Sequence, residues 1–142
     1  GMLMLNTSPA RAVVVEGRLQ VSNFYGGTLR AGGGTLTLAP SPQVSLALGL
    51  NRNRVEIPGG SFTADLVSVR AGYAYSTRLG ANLLVQYNSL DRYFSTNLRV
   101  SFIHRPGSDL FLVFTEEREE EGPHWRVSDR GMVMKVTYLK RF

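Results

Sequence analysis

The sequence predicts an all-β chain, an antiparallel up-and-down β-barrel of about eight strands of the outer-membrane type. Three observations carry that expectation. Apolar residues recur with period two over most of the chain, as in strands whose two faces meet different surroundings. Tight and longer polar connections alternate, as they do between the two rims of an outer-membrane barrel. Many of the alternating segments reach the roughly 9–11 residues that a tilted strand needs to cross a bilayer, whereas strands of soluble domains more often run about 5–6.

The elements follow in order. Residues 1–10 are expected to be a tail, with Gly1-Met2 having the look of an expression scar. Residues 11–142 are expected to form one barrel domain, whole or as the C-terminal fragment of a larger barrel. The first strand, near 11–24, sets Val13, Val15, Gly17, Leu19 and Val21 against Glu16, Arg18 and Gln20. The second lies near 28–39. The third, near 44–57, sets Val44, Leu46, Leu48 and Leu50 against Ser45, Ala47 and Gly49. The fourth lies near 61–75. The fifth, near 79–88, presents Leu79, Ala81, Leu83, Val85 and Tyr87, with Leu84 the exception among the polar positions. The sixth, near 93–104, presents Leu98, Val100 and Phe102; the seventh lies near 109–118. The last, near 130–142, presents Met132, Met134, Val136 and Tyr138. Val, Thr, Tyr and Phe fill these segments, and turn-forming clusters separate them. Residues 40–43, 76–78 and 105–108 read as tight turns. Residues 51–60, 88–92 and 116–130 read as longer connections.

Composition sets limits. The 142 residues suffice for one domain, and the longest apolar stretches, such as Leu110 to Phe114, are only a few residues. A membrane helix needs roughly 18 or more. The mean hydropathy of -0.08 still suits a membrane barrel, because only alternate residues meet lipid. Without cysteine there is no disulfide framework or thiolate metal site. The net charge is +5, but the basic residues are spread along the chain, so nucleic acid is not the expected partner.

The chain ends Tyr138-Leu139-Lys140-Arg141-Phe142. The terminal Phe142, with Tyr138, Val136, Met134 and Met132 alternating before it, resembles the C-terminal signal of bacterial outer-membrane proteins. Lys140 departs from the apolar residue usual there. Gln86-Tyr87-Asn88-Ser89, Asn97-Leu98-Arg99-Val100 and the run Arg105-Pro106-Gly107-Ser108-Asp109-Leu110-Phe111-Leu112-Val113 also resemble a known group. It is a family of uncharacterised bacterial outer-membrane proteins, in which a carbohydrate-binding-module-like sandwich precedes a membrane barrel. The resemblance runs from about Asn23 to Phe142. It implies a location in the outer membrane and two partners, the lipid bilayer and the barrel-assembly machinery. Tyr138 and Phe142 would form the signal that this machinery reads. The family carries no established reaction, and none is expected here.

The remaining features are read residue by residue. If the apolar face meets lipid, Glu16, Arg18, Arg70, Gln86, Arg99 and Lys135 form a polar cluster in the lumen. Desolvation requires charges in a narrow lumen to pair with one another, with Asn82 and Gln86, or with water. In an eight-stranded barrel such residues fill the interior; in a wider one they line a passage. The acidic run Glu116, Glu117, Glu119, Glu120 and Glu121 lacks the spacing of a calcium loop and is expected to be a solvated outer loop. Trp125 reads as an interfacial anchor. His104 and His124 lack a metal-binding spacing, and Ser101 and Ser128 lack the setting of a nucleophile. Gly32-Gly33-Gly34 lacks the Lys-Ser/Thr of a phosphate loop; in strands such glycines mark bends or close approach. The aromatics from Tyr73 to Phe142 suit interfacial girdles or an ordinary core. No cofactor is expected. The rival expectation is a soluble β-barrel with its apolar face inside, binding a small apolar ligand or a protein partner. Open strand edges in a fragment would also favour self-association.

Overall fold

The computed structural model describes residues 1–7, 12–24, 26–105 and 107–139. They form nine strands: β1 (Met2–Asn6), β2 (Val13–Phe24), β3 (Gly27–Ser41), β4 (Val44–Ile57), β5 (Gly60–Ala74), β6 (Leu79–Asn88), β7 (Tyr93–Arg105), β8 (Ser108–Glu121) and β9 (His124–Thr137). All lie in one sheet, in chain order, and every neighbouring pair is antiparallel. The up-and-down topology is as expected. The sheet is not closed: among the described residues β1 pairs with β2 alone and β9 with β8 alone.

Two expectations need correction. Residues 2–6 are a strand rather than part of a tail. Met2-Leu3-Met4-Leu5 does not alternate, so period-two reading passes over it. The edge of β2 offers unpaired amides and carbonyls that organise it, from Met2 opposite Gln20 to Asn6 opposite Glu16. The second correction concerns the long connections. Residues 51–60 and 116–130 are mostly strand: β4 runs to Ile57 and β5 starts at Gly60, while β8 runs to Glu121 and β9 starts at His124. Polar residues at these strand ends read as loops because they break the apolar alternation. The backbone ladder continues through them regardless of side-chain polarity.

The hairpins at both ends are therefore tight. Gly59 (φ 116°) and Gly122 (φ 65°) occupy backbone conformations that L-residues rarely adopt, which lets these strands reverse within two residues. Register shifts fall at Leu38/Ser41, Ile103/Arg105 and Glu117/Arg118, two of them next to hairpins, where bulges commonly sit.

There is no core. Val55, 5% exposed, is the one buried apolar residue among those described. The accessible surface is 10475 Å². A compact monomer of 15.7 kDa would expose about 7,300 Å². A single sheet layer with both faces open leaves apolar surface that folded domains normally bury against a second layer.

Candidate functional site: two faces of one sheet

Residues directly opposite one another on neighbouring strands share a face. The register therefore assigns every strand residue to one of two faces. One row runs Val15, Leu36, Leu48, Val69, Val85, Thr96. Another runs Leu46, Ala71, Leu83, Leu98, Phe114, Met132. A third runs Tyr73, Ala81, Val100, Leu112, Met134. The separate apolar stripes of the sequence thus join into one continuous apolar face.

That face has a boundary. Between its hairpins β2 carries only Val13, Val15, Gly17, Leu19, Val21 and Asn23 on it, and β6 only Leu79, Ala81, Leu83, Val85 and Tyr87. Moving away from the end of the sheet where residues 42–43, 75–78 and Gly107 lie, charge first appears at Arg30 in β3, Arg52 in β4, Asp65 in β5, Glu116 in β8 and Arg130 in β9. Beyond that line the same face is a charged band. Arg52 clasps Asp65 through Nε and Nη2, both at 2.7 Å. Arg54 meets Glu56 at 2.9 Å. Glu116, 9% exposed, accepts from Arg118 Nε at 2.7 Å and Arg130 Nε at 2.8 Å. Two guanidiniums around one half-enclosed carboxylate satisfy both of its oxygens. Arg92 approaches Glu120 at 3.8 Å. Trp125 meets Tyr87 and Phe94 edge-on, at ring centroid distances of 6.0 and 6.3 Å, on the same face and towards the same end.

The opposite face mixes small polar residues with apolar ones: Leu29, Val55 and Phe62 form a row near one end, and Leu84, Phe111, Val113 and Val133 also lie on it. It carries Thr35, Gly49, Ser68, Gln86 and Ser95 in one row, and Gly72, Asn82 and Arg99 in another. A Cβ at Gly72 would stand 2.6 Å from Ser45 Oγ and 3.3 Å from Asn82 Oδ1, so this face has little room between strands. The residues expected in the lumen, Glu16, Arg18, Arg70, Gln86, Arg99 and Lys135, all lie on it. Glu16 and Arg18 line a pocket of about 420 Å³ with Met4, Asn6, Thr35 and Asn51.

The expected pairing is not seen. Among the described residues no ion pair involves Glu16, Arg18, Arg70, Arg99 or Lys135. Glu16 is the one acid among them: Arg18 stands two residues away on the same face of β2 without pairing with it, and Arg70, Arg99 and Lys135 lie on β5, β7 and β9, beyond its reach. Arg99 instead stacks over Phe111, 5.3 Å from the ring centroid. The four bases do follow a diagonal. Arg18 is level with Asn88 of β6, and Lys135 is level with Gly80, with Arg70 and Arg99 between them. The hairpins step down in the same sense: β7 runs on from Ser101, level with the end of β5, to Arg105.

Of the two residues expected to form an assembly signal, Tyr138 accepts a hydrogen bond from Arg105 Nη2 at 2.6 Å, beneath its stacked guanidinium. Phe142 lies outside the described residues. The acidic run is part of β8 and not an outer loop, and its side chains alternate between the faces. The charged band was missed in the sequence because Arg52, Arg54, Glu116, Arg118 and Arg130 fall in stretches that also read as connections, while Arg30 and Asp65 lie in strands, near 28–39 and 61–75, whose alternation is weak. The signal was present: Arg52, Arg54 and Glu56 continue the parity of Val44 to Leu50. No family model, curated protein or solved structure matches the chain.

Proposed function

We propose that this chain is membrane-embedded β-structure of a bacterial outer membrane, with a structural role as an anchor or as the closing wall of a barrel. One observation carries the reading: a coreless sheet with an unbroken apolar face that stops at a common line of charge. On β2, β6 and β7 the apolar positions span nine residues, from Val13 to Val21, Leu79 to Tyr87 and Phe94 to Phe102. At about 3.3 Å per residue and a tilt of about 40°, nine residues rise about 23 Å. The lipid-facing band of an outer-membrane barrel is about 25 Å tall.

The small polar residues of the other face support its being the inner wall. Of the nine strands, β2 to β9 overlap the eight expected, and closing them antiparallel, as an even number allows, requires β9 to take the edge of β2 that β1 holds. Catalysis forms no part of this reading. The resemblance to the membrane barrel of the uncharacterised outer-membrane family supports the same location and the same partners, lipid and the barrel-assembly machinery.

The test is to refold the purified chain with and without detergent or lipid vesicles. Circular dichroism would be followed together with gel mobility before and after boiling. β-structure only in lipid or detergent, with a mobility shift on boiling, is the expected result. A folded, soluble monomer in plain buffer would replace this reading with the rival one, an apolar-lined soluble barrel.

A further inference from the structure

The charged band on the apolar face is not balanced. It holds six arginines, Arg30, Arg52, Arg54, Arg92, Arg118 and Arg130, against four carboxylates, Glu56, Asp65, Glu116 and Glu120. Every cation in it is arginine. Arg30 and Arg54 are direct cross-strand partners, with Arg52 next along the same face. Arg52 is committed to Asp65 and Arg54 to Glu56, while Arg30 has no ion-pair partner among the described residues. Like charges directly opposed across a ladder destabilise a sheet unless an anion relieves them. The guanidiniums stay available: the side chains of Arg52 and Arg54 are 67% and 57% exposed. Trp125, Tyr87 and Phe94 cluster at the same end of this face, where aromatic rings favour the boundary between hydrocarbon and headgroups.

We infer that this band seats phosphates of the lipid leaflet at its end of the strands, with Arg30 and Arg54 sharing one headgroup. The inference rests on the membrane reading above. Its chemistry is the planar guanidinium fork, which binds phosphate oxygens in pairs. The position follows from the apolar face: lipid that covers Val44 to Leu50 brings its headgroups level with Arg52 and Arg54. The ion pairs within the band hold the arginine stems upright and prevent net repulsion. The excess cation is left to the lipid.

The experiment refolds the full chain into vesicles of phosphatidylcholine, alone or with a minor fraction of phosphatidic acid, and titrates each with urea. The folded fraction is read from gel mobility. Phosphatidic acid should raise the folded-to-unfolded ratio of the wild type, and added salt should diminish the gain. The double variant Arg30→Gln/Arg54→Gln should lose about tenfold or more of that gain. A double variant at the opposite rim, Arg78→Gln/Arg105→Gln, removes the same charge and should keep most of it. Equal stability of the wild type in both vesicles overturns the headgroup inference and leaves the membrane reading standing. So does an equal loss in both double variants, which would make the gain one of net charge. Failure to insert into either vesicle overturns the membrane reading, and the inference with it. If the Arg30→Gln/Arg54→Gln chain does not fold, the single variant Arg30→Gln, which breaks no ion pair, carries the test: it should lose part of the gain that Arg78→Gln/Arg105→Gln keeps, and a gain equal to that of the wild type overturns the inference.

Discussion

At the scale of single residues, which face a side chain occupies matters more than its type. Leu48 and Thr37 lie near the middle of neighbouring strands, but the register puts Leu48 on the apolar face and Thr37 on the polar one. A charge at a lipid-facing midplane position costs about 2–4 kcal/mol, and much less on a watered inner face. Leu48→Arg is therefore expected to lower stability in vesicles by about 2–4 kcal/mol, and Thr37→Lys by less than about 1 kcal/mol. Urea titrations of both in phosphatidylcholine check this. Equal costs would mean that the two faces meet the same surroundings, as in a sheet covered on both sides by protein. Glu116 shows the same principle in reverse. It is a buried carboxylate in a row that is apolar from Val15 on β2 to Val85 on β6, kept there by Arg118 and Arg130.

At the scale of elements, hairpins and close approaches set the ladder. Gly27 opens β3, and a Cβ there would overlap the carbonyl oxygen of Glu56 on β4. Backbone cannot withdraw as a side chain can. Gly59, at φ 116°, closes the next hairpin in a region open essentially to glycine alone. Gly27→Ala and Gly59→Val are each expected to cost more than about 1 kcal/mol and to loosen the same end of β3, β4 and β5. Amide exchange of Thr28, Val55 and Phe62 would report it; unchanged protection there would show that the hairpin end adapts. The elements also show what the sequence could convey. Period-two alternation located β2 to β9 because their apolar residues repeat on one face. It missed β1, whose Met2-Leu3-Met4-Leu5 is apolar on both faces, and it cut short β8 and β9, whose ends near the 122–123 hairpin are mostly polar, while the strand expected at 44–57 coincides with β4. The six residues assigned to the lumen do share a face, since parity survives wherever the strand is continuous. Their expected pairing was not legible, because it depends on distances across several strands that parity does not encode.

At the scale of the whole molecule, the slope of the sheet links its parts. From Arg18 on β2 to Lys135 on β9 the basic residues fall from the level of Asn88 to that of Gly80, about 26 Å along the strands for about 34 Å across them. The slope is close to 40°, within the roughly 35–45° by which barrel strands tilt from the axis. The turns at 75–78 and at Gly107 descend in the same sense, so the diagonal becomes a level ring when the strands stand at that tilt. Arg18, Arg70, Arg99 and Lys135 would then face one another at one depth of the inner wall. Glu16, beside Arg18 on β2, and Asp109, diagonal to Lys135 across β8 and β9, are the acids nearest to them on this face, and Glu117 and Asp129 lie farther towards the opposite end. A ring of one sign in a low-dielectric wall concentrates the opposite ion. Where the refolded chain assembles into a barrel wider than eight strands and conducts, its currents in planar bilayers under a potassium chloride gradient are expected to reverse at a potential displaced towards chloride. Arg70→Glu/Arg99→Glu is expected to move that potential towards potassium. A wild-type pore that prefers potassium would place the conducting path away from these four residues, and the diagonal would then be a feature of packing alone.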